Sequence, residues 1–183
     1  SFAEDPLRVL RAAQFAARFG FRVAEDTVAL CRRMDLRHLP RERIEGELKK
    51  ALLKADQPSV FFEVLRQMDQ LDIWFPELKA LIGVPQNPRY HGEGDVWKHT
   101  MMVLDEAARL RHRPQNPYWF MLGALTHDFG KGVCTEVKDG VIQRVGSDEE
   151  ILAVAGEEAK KVDLEGKLAL PGFCDTHMHM LFY

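Results

Sequence analysis

The stretch "LTHDFGK", residues 125–131, sets His127 and Asp128 side by side at the end of the apolar run "WFMLGAL". That run should be buried, and ionisable groups beside a core need a partner, because an unpaired buried charge is costly. A divalent cation would serve, since it compensates the carboxylate and fixes the imidazole. Two ligands are too few, and the nearest upstream candidate is His99, in a helix predicted to start at Asp95. His99 lies one turn before Val103 and shares its core-directed side, so two packed helices would bring His99 to His127 and Asp128. The alternative is a buried histidine hydrogen-bonded to its neighbouring aspartate; the upstream histidine and the following "FGK" favour the metal. His91, in "YHGEGDVWKH", is open to two readings: a contact to substrate or a second ion, or a plain loop histidine.

A second constellation opens the chain. Asp5 and Arg8 are three residues apart and so share a helix face. One offers only acceptors and the other only donors. Cytosine and adenine present an exocyclic amine beside a ring-nitrogen acceptor, whereas guanine and uracil present the reverse order. An Asp/Arg pair can therefore accept C and A and reject G and U. The plainer reading is a capping carboxylate and a surface ion pair worth little. At the other end, His177 and His179 alternate by two, so in a strand they point to one side and can share a metal; otherwise they are two histidines near a frayed terminus.

The elements that must position these groups read as mainly α. "DPLRVLRAAQFAARF" predicts an amphipathic helix over 5–19, with Leu7, Leu10, Phe15 and Phe19 near one stripe. Asp5 is its expected N-cap, Pro6 its first residue and Gly20 its stop. Further helices are predicted near 25–34, 41–55 and 59–71, separated by Pro40 and Pro58. The Gly- and Pro-rich "GVPQNPRYHGEGD" reads as a long loop. Helices from Asp95 and over 117–128 follow it. After about residue 134 the pattern changes: a hairpin around Asp139-Gly140, a capping box from Ser147 to Glu150, and strand-like stretches broken at Glu165-Gly166.

The 183 residues suggest one large or two small domains, and 46% hydrophobic with 29% charged residues is ordinary for a globular chain. A net charge of −3 excludes a global basic field, so any RNA contact needs a local patch. Arg8, Arg11, Arg18 and Arg22 are the candidates for one. Cys31, Cys134 and Cys174 form no CxxC pair, which argues for a reducing, cytoplasmic setting. No apolar run nears the roughly 20 residues that cross a bilayer, so no membrane partner is expected.

With those residues in hand, His99, His127 and Asp128 match the first three positions of the HD superfamily of metal-dependent phosphohydrolases, which they resemble. There a metal lowers the pKa of water so that it attacks phosphorus. The resemblance implies a divalent ion (Mg, Mn, Ni or Zn), a phosphoester substrate, and Lys131 as a phosphate contact. The family's fourth ligand, a distant Asp, has no clear counterpart; Asp139 and Asp148 lie in unlike contexts. The opening "EDPLRVLRAAQFAARFGF" is more specific. Continuing through "RERIEGELKKALL", "LDIWFPELKALIGVPQNPRYHGEGDVWKHTMMVLDEAA" and "FMLGALTHDFGK", it resembles bacterial class II CCA-adding tRNA nucleotidyltransferases and their poly(A) polymerase relatives over about 1–133. Glu4, Asp5 and Arg8 take the places of that family's Glu-Asp-x-x-Arg base reader, which implies CTP, ATP and tRNA as partners. Arg43 and Glu47 fall in the neighbouring helix as its brace. The magnesium-holding carboxylates of such enzymes belong to a head expected to precede Ser1, so the resemblance implies a fragment lacking nucleotide addition.

The tail, "EVKDGVIQRVGSDEEILAVAGEEAKKVDLEGKLALPGFCDTHMHM", resembles instead the start of a metal-dependent amidohydrolase, with His177 and His179 on the first barrel strand. The chain thus reads as a chimera joined between about 132 and 142: a helical neck and body over 1–77, a truncated HD-type helical domain over 78–134, and a small α/β amidohydrolase-like tail over 135–183. The leading function is a CCA-adding enzyme fragment with an HD phosphohydrolase module. The alternatives are an amidohydrolase, resting on the tail, and an inert helical RNA-binding module.

Overall fold

The computed structural model describes residues 5–86, 92–134 and 153. Among them the chain is mainly α, without strands: α1 (Leu7–Phe19), α2 (Glu25–Cys31), α3 (Arg41–Lys54), α4 (Ser59–Gln67), α5 (Pro76–Lys79), α6 (Val96–Leu110), α7 (Pro117–Thr126) and α8 (Lys131–Cys134). Ser1–Cys134 form one compact unit and Thr135–Tyr183 a second. Glu4, His91, the hairpin and strands expected after 134, Asp139, Asp148, His177 and His179 lie outside the described residues, as does the amidohydrolase-like tail apart from the exposed Ala153.

In the first unit α1 packs on α3 and α4, α6 on α7, and the two groups meet through α3 with α7 and α4 with α6. Trp97, Phe61, Phe62, Met68 and Leu104 are fully buried in their shared core. The inward face of α1 departs from the expected stripe. Leu7, Val9, Leu10, Ala13, Gln14, Ala16 and Ala17 are buried, while Phe15 and Phe19 are 37% and 52% exposed. Small alanines let α3 and α4 approach closely, and the two rings fall on the opposite side. Gly20 ends the helix at φ 67°, a left-handed cap that glycine adopts without strain.

Side-chain caps account for the starts of three helices. Asp95 Oδ1 accepts from the Lys98 N–H at 2.9 Å to start α6, as expected, while its Oδ2 accepts from the Gly83 N–H at 2.7 Å. One side chain thus caps a helix and closes the base of the long loop. Asn116 Oδ1 accepts from the Trp119 N–H at 3.2 Å, with Pro117 in the first helical turn of α7. A long-range cap starts α4, where Asp105 of α6 accepts from the Ser59 N–H at 3.0 Å and its hydroxyl at 2.7 Å. Two helices end earlier than predicted. α2 stops at Cys31 because the Gln70 amide donates to the Cys31 and Met34 carbonyls at 2.8 and 2.9 Å. α4 stops at Gln67, just before Asp69 turns to φ 53°.

Candidate functional site

The predicted metal ligands meet. α6 carries His99 in its first turn, and α7 ends at Thr126, so His127 and Asp128 stand at its C-terminal edge. The rings of His99 and His127 lie 5.4 Å apart between centroids. One ligand atom from each of His99, His127 and Asp128 falls within 4.8 Å of the others. His127 Nε2 is 3.4 Å and His99 Nε2 is 3.9 Å from Asp128 Oδ2.

Each imidazole is oriented from its far side. His127 Nδ1 lies 2.8 Å from the Ala124 carbonyl, which fixes the proton on Nδ1 and turns the Nε2 lone pair toward Asp128. His99 Nδ1 lies 2.6 Å from Glu93 Oε1. A carboxylate behind a histidine is the usual orienting partner in a metal site, and it raises ligand basicity. Asp128 itself is only 3% exposed, so its charge needs a counter-charge. Lys131 supplies one at 2.8 Å and also donates to Gln86 Oε1 at 3.2 Å. The lysine that the sequence places on a phosphate thus sits on the buried carboxylate, because it follows Asp128 by one turn. Glu93 and Gln86 were not anticipated as parts of this site. Their signal was weak, a lone carboxylate and a lone amide in a loop that closes beside the helix carrying His99.

The apolar run before the doublet is not uniformly buried. Met121, Ala124 and Leu125 are inside, but Trp119 is 67% exposed at the first turn of α7.

The base-reading arm is arranged differently from expectation. Asp5 does not close on Arg8 but on Arg43 of α3, Nη2 to Oδ2 at 3.1 Å, while its Oδ1 accepts from the Leu7 N–H at 3.3 Å. The Arg43 guanidinium holds the Asp5 carboxyl below its usual range. Arg8 remains exposed beside it. The other brace, Glu47, is 5% exposed and bonds Lys50 at 2.8 Å. With the buried Gln14 amide turned so that nitrogen faces acid, it donates to Glu47 at 3.2 Å and accepts from Arg18 at 3.0 Å. Arg8, Arg11, Phe15 and Arg18 share one stripe of α1 at i, i+3, i+7 and i+10 spacing. Arg11 lies over the Phe15 ring at 5.7 Å and Arg18 over Phe19 at 4.8 Å. Arg22 follows beyond the cap, also exposed. The surface is an alternation of guanidinium and aromatic ring.

Residues 20–82 match the family model described as the probable RNA and SrmB-binding site of polymerase A. The multifunctional CCA protein of Actinobacillus pleuropneumoniae is 46% identical over 140 residues, 73% of this chain and 34% of that protein. That of Thioalkalivibrio sulfidiphilus is 50% identical over 139 residues, 72% of this chain and 33% of that protein. That of an Acidovorax strain is 45% identical over 154 residues, 81% of this chain and 35% of that protein. The chain spans about a third of the length of these curated relatives. No solved structure matches it. The matches lend no support to the amidohydrolase reading of the tail.

Proposed function

We propose that this chain, which carries a neck and body segment of the CCA-adding enzyme kind, serves tRNA 3′-end processing in two ways: base selection and RNA grip on α1, and metal-dependent phosphoester hydrolysis at His99, His127 and Asp128. The observation that carries the reading is the meeting of those three donors in a chain matching multifunctional CCA proteins.

Two imidazoles and a carboxylate suit a borderline ion such as Zn or Ni better than Mg, which prefers all-oxygen shells. Three protein ligands also leave coordination positions for water and substrate. A divalent ion bound there would supply Lewis acidity toward a phosphoester oxygen and toward attacking water. The chain's own residues do the rest. Glu93 and the Ala124 carbonyl hold the two rings in position. Asp128 balances charge, and Lys131, which donates to Asp128 and Gln86, offers an ammonium next to where a phosphate would lie.

On α1, Asp5 needs to be ionised to act as an acceptor for the exocyclic amine of cytosine or adenine, and Arg43 keeps it so. Each carboxylate oxygen retains a second lone pair for that purpose. Arg8 lies free of the Asp5 carboxylate's own ion pair, able to donate to the ring-nitrogen acceptor beside the amine. Arg11, Arg18 and Arg22 give the arm its attraction for phosphate, and exposed Phe15 and Phe19 give it a surface for stacking.

The test is metal uptake followed by hydrolysis. Titration calorimetry with Mn, Ni and Zn salts should give one site per chain, abolished by His127→Ala and weakened by Glu93→Gln. The loaded chain should cleave a chromogenic phosphomonoester or phosphodiester above the metal-free rate. A wild-type chain that takes up no divalent ion would return His127 and Asp128 to a hydrogen-bonded pair at a helix end, leaving an RNA-binding module.

A further inference from the structure

A second aromatic and basic surface lies away from α1. α3 and the start of α7 enclose a cleft of about 660 Å³, lined on one side by Glu45 and Lys49 and on the other by His112, Tyr118 and Trp119. That is the scale of a pocket for one small organic ligand. Its floor is rigid. Asn116 caps the helix beneath Trp119, and Arg111 is spent on the Leu52 and Ala55 carbonyls that end α3, so it serves as wall rather than ligand. Tyr118 is fixed as well, with the Lys49 ammonium 4.8 Å above its ring and its hydroxyl 3.5 Å from Glu45.

Trp119 is the odd member. Its indole is 67% exposed, 6.0 Å from the Tyr118 ring. A large flat ring left in water in the same lining as exposed Lys49 offers a π face and a cation together. Glu45 is the single carboxylate in the lining, against Lys49 and Arg111. The charge therefore favours an anion, and the ring favours a planar group attached to it. A nucleotide has both. An acidic peptide would use the cations but not the indole, and an apolar peptide the reverse.

We infer that this cleft holds one unpaired nucleotide of an RNA strand, its base stacked on Trp119 and its phosphate toward Lys49. The inference rests on the RNA-binding part of the proposed function but needs neither the metal centre nor Asp5. It adds a contact on α7 well outside the residues 20–82 that carry the RNA-binding family match.

Fluorescence anisotropy of labelled adenine and cytosine ribo-octanucleotides tests it. Stacking on an aromatic side chain contributes about 1–3 kcal/mol per base, so Trp119→Ala should weaken binding between about fivefold and a hundredfold. Trp119→Phe should keep most of the affinity, and Lys49→Ala should flatten the salt dependence by about one counterion. Trp119 is exposed enough that circular dichroism of each variant should match wild type. Unchanged affinity in Trp119→Ala, while Arg11→Ala and Arg18→Ala lose it, overturns this inference and leaves the RNA reading standing. A wild-type chain that binds no octanucleotide overturns both. Binding of AMP or CMP without binding of either octanucleotide overturns the RNA assignment. So does self-association that Trp119→Ala abolishes in a chain that binds no RNA, since that marks a contact between copies.

Discussion

At the scale of single residues, Asp128 organises the candidate metal centre, because it is both the most buried charge there and the one with two claimants. Lys131 reaches it at 2.8 Å in this structure, and a divalent ion would reach the same oxygens. Removing the lysine leaves a 3% exposed carboxylate without its ammonium. Stripping one partner from a buried charge costs roughly 3–5 kcal/mol. Lys131→Met should therefore lower the metal-free unfolding free energy by about that much in urea, and saturating Mn or Zn should restore it. A variant equally stable with and without metal would show that Asp128 has no need of a counter-charge. The ligands themselves were legible, since a His-Asp doublet after an apolar run and a helical histidine upstream are local signals. The role of Lys131 was legible only as a charge near the site. Its position on Asp128 follows from three-residue helical spacing that the sequence had been read past.

At the scale of elements, the structure joins pieces that the sequence leaves separate. Helix starts that depend on a neighbouring side chain, such as Asp95 before α6, were visible because cap and helix are adjacent. The Asp105 cap on α4 and the Gln70 stop on α2 were not, since each partner lies more than 35 residues away. α5 and α8, of four residues each, carry too little periodicity to be seen. The same distance kept the Asp5–Arg43 ion pair out of the spacing argument, and Arg43 entered only as the brace that the family resemblance implies. Spacing pointed to Arg8, three residues on, whereas α3 brings Arg43 across 38 residues. This has a consequence in pH. The folded carboxyl of Asp5 is depressed below the ordinary aspartate value of 3.8, chiefly by the Arg43 hydrogen bond. Its contribution to holding α1 on α3 is therefore present in full above that value and lost as pH falls through the folded one. In Arg43→Ala the Asp5 carboxyl should titrate closer to 3.8 by NMR. In a chain fused behind a family nucleotidyltransferase head, the same variant should lose C and A preference at a higher pH than wild type, because a protonated Asp5 donates where it should accept. An Asp5 titration unmoved by Arg43→Ala would remove the brace from the base-reading account.

At the scale of the whole molecule, the question is whether the arm on α1 and the donors on α6 and α7 answer to one fold. The expected boundary at residue 77 separates them, yet several side-chain hydrogen bonds cross it. Trp97 of α6, fully buried, donates to Glu63 of α4 at 2.5 Å. Asp105 of α6 caps α4. Arg111, past the end of α6, closes the C-terminal carbonyls of α3, and Tyr118 of α7 reaches Glu45 of α3. Leu81, Trp97, Leu104 and Met121 share one apolar cluster with Leu10, Leu52 and Phe62. Small domains with a shared core unfold as one unit, whereas two cores joined by a hinge unfold in two steps. Residues 1–134 expressed alone should therefore show a single thermal transition, with helical dichroism and tryptophan fluorescence losing signal together. Because the ligands belong to that same unit, Mn or Zn should raise the one midpoint for both probes. A low-temperature loss of α1 to α4 helicity that leaves metal uptake intact would instead establish two independent domains meeting near residue 77, with base selection and hydrolysis free to evolve apart.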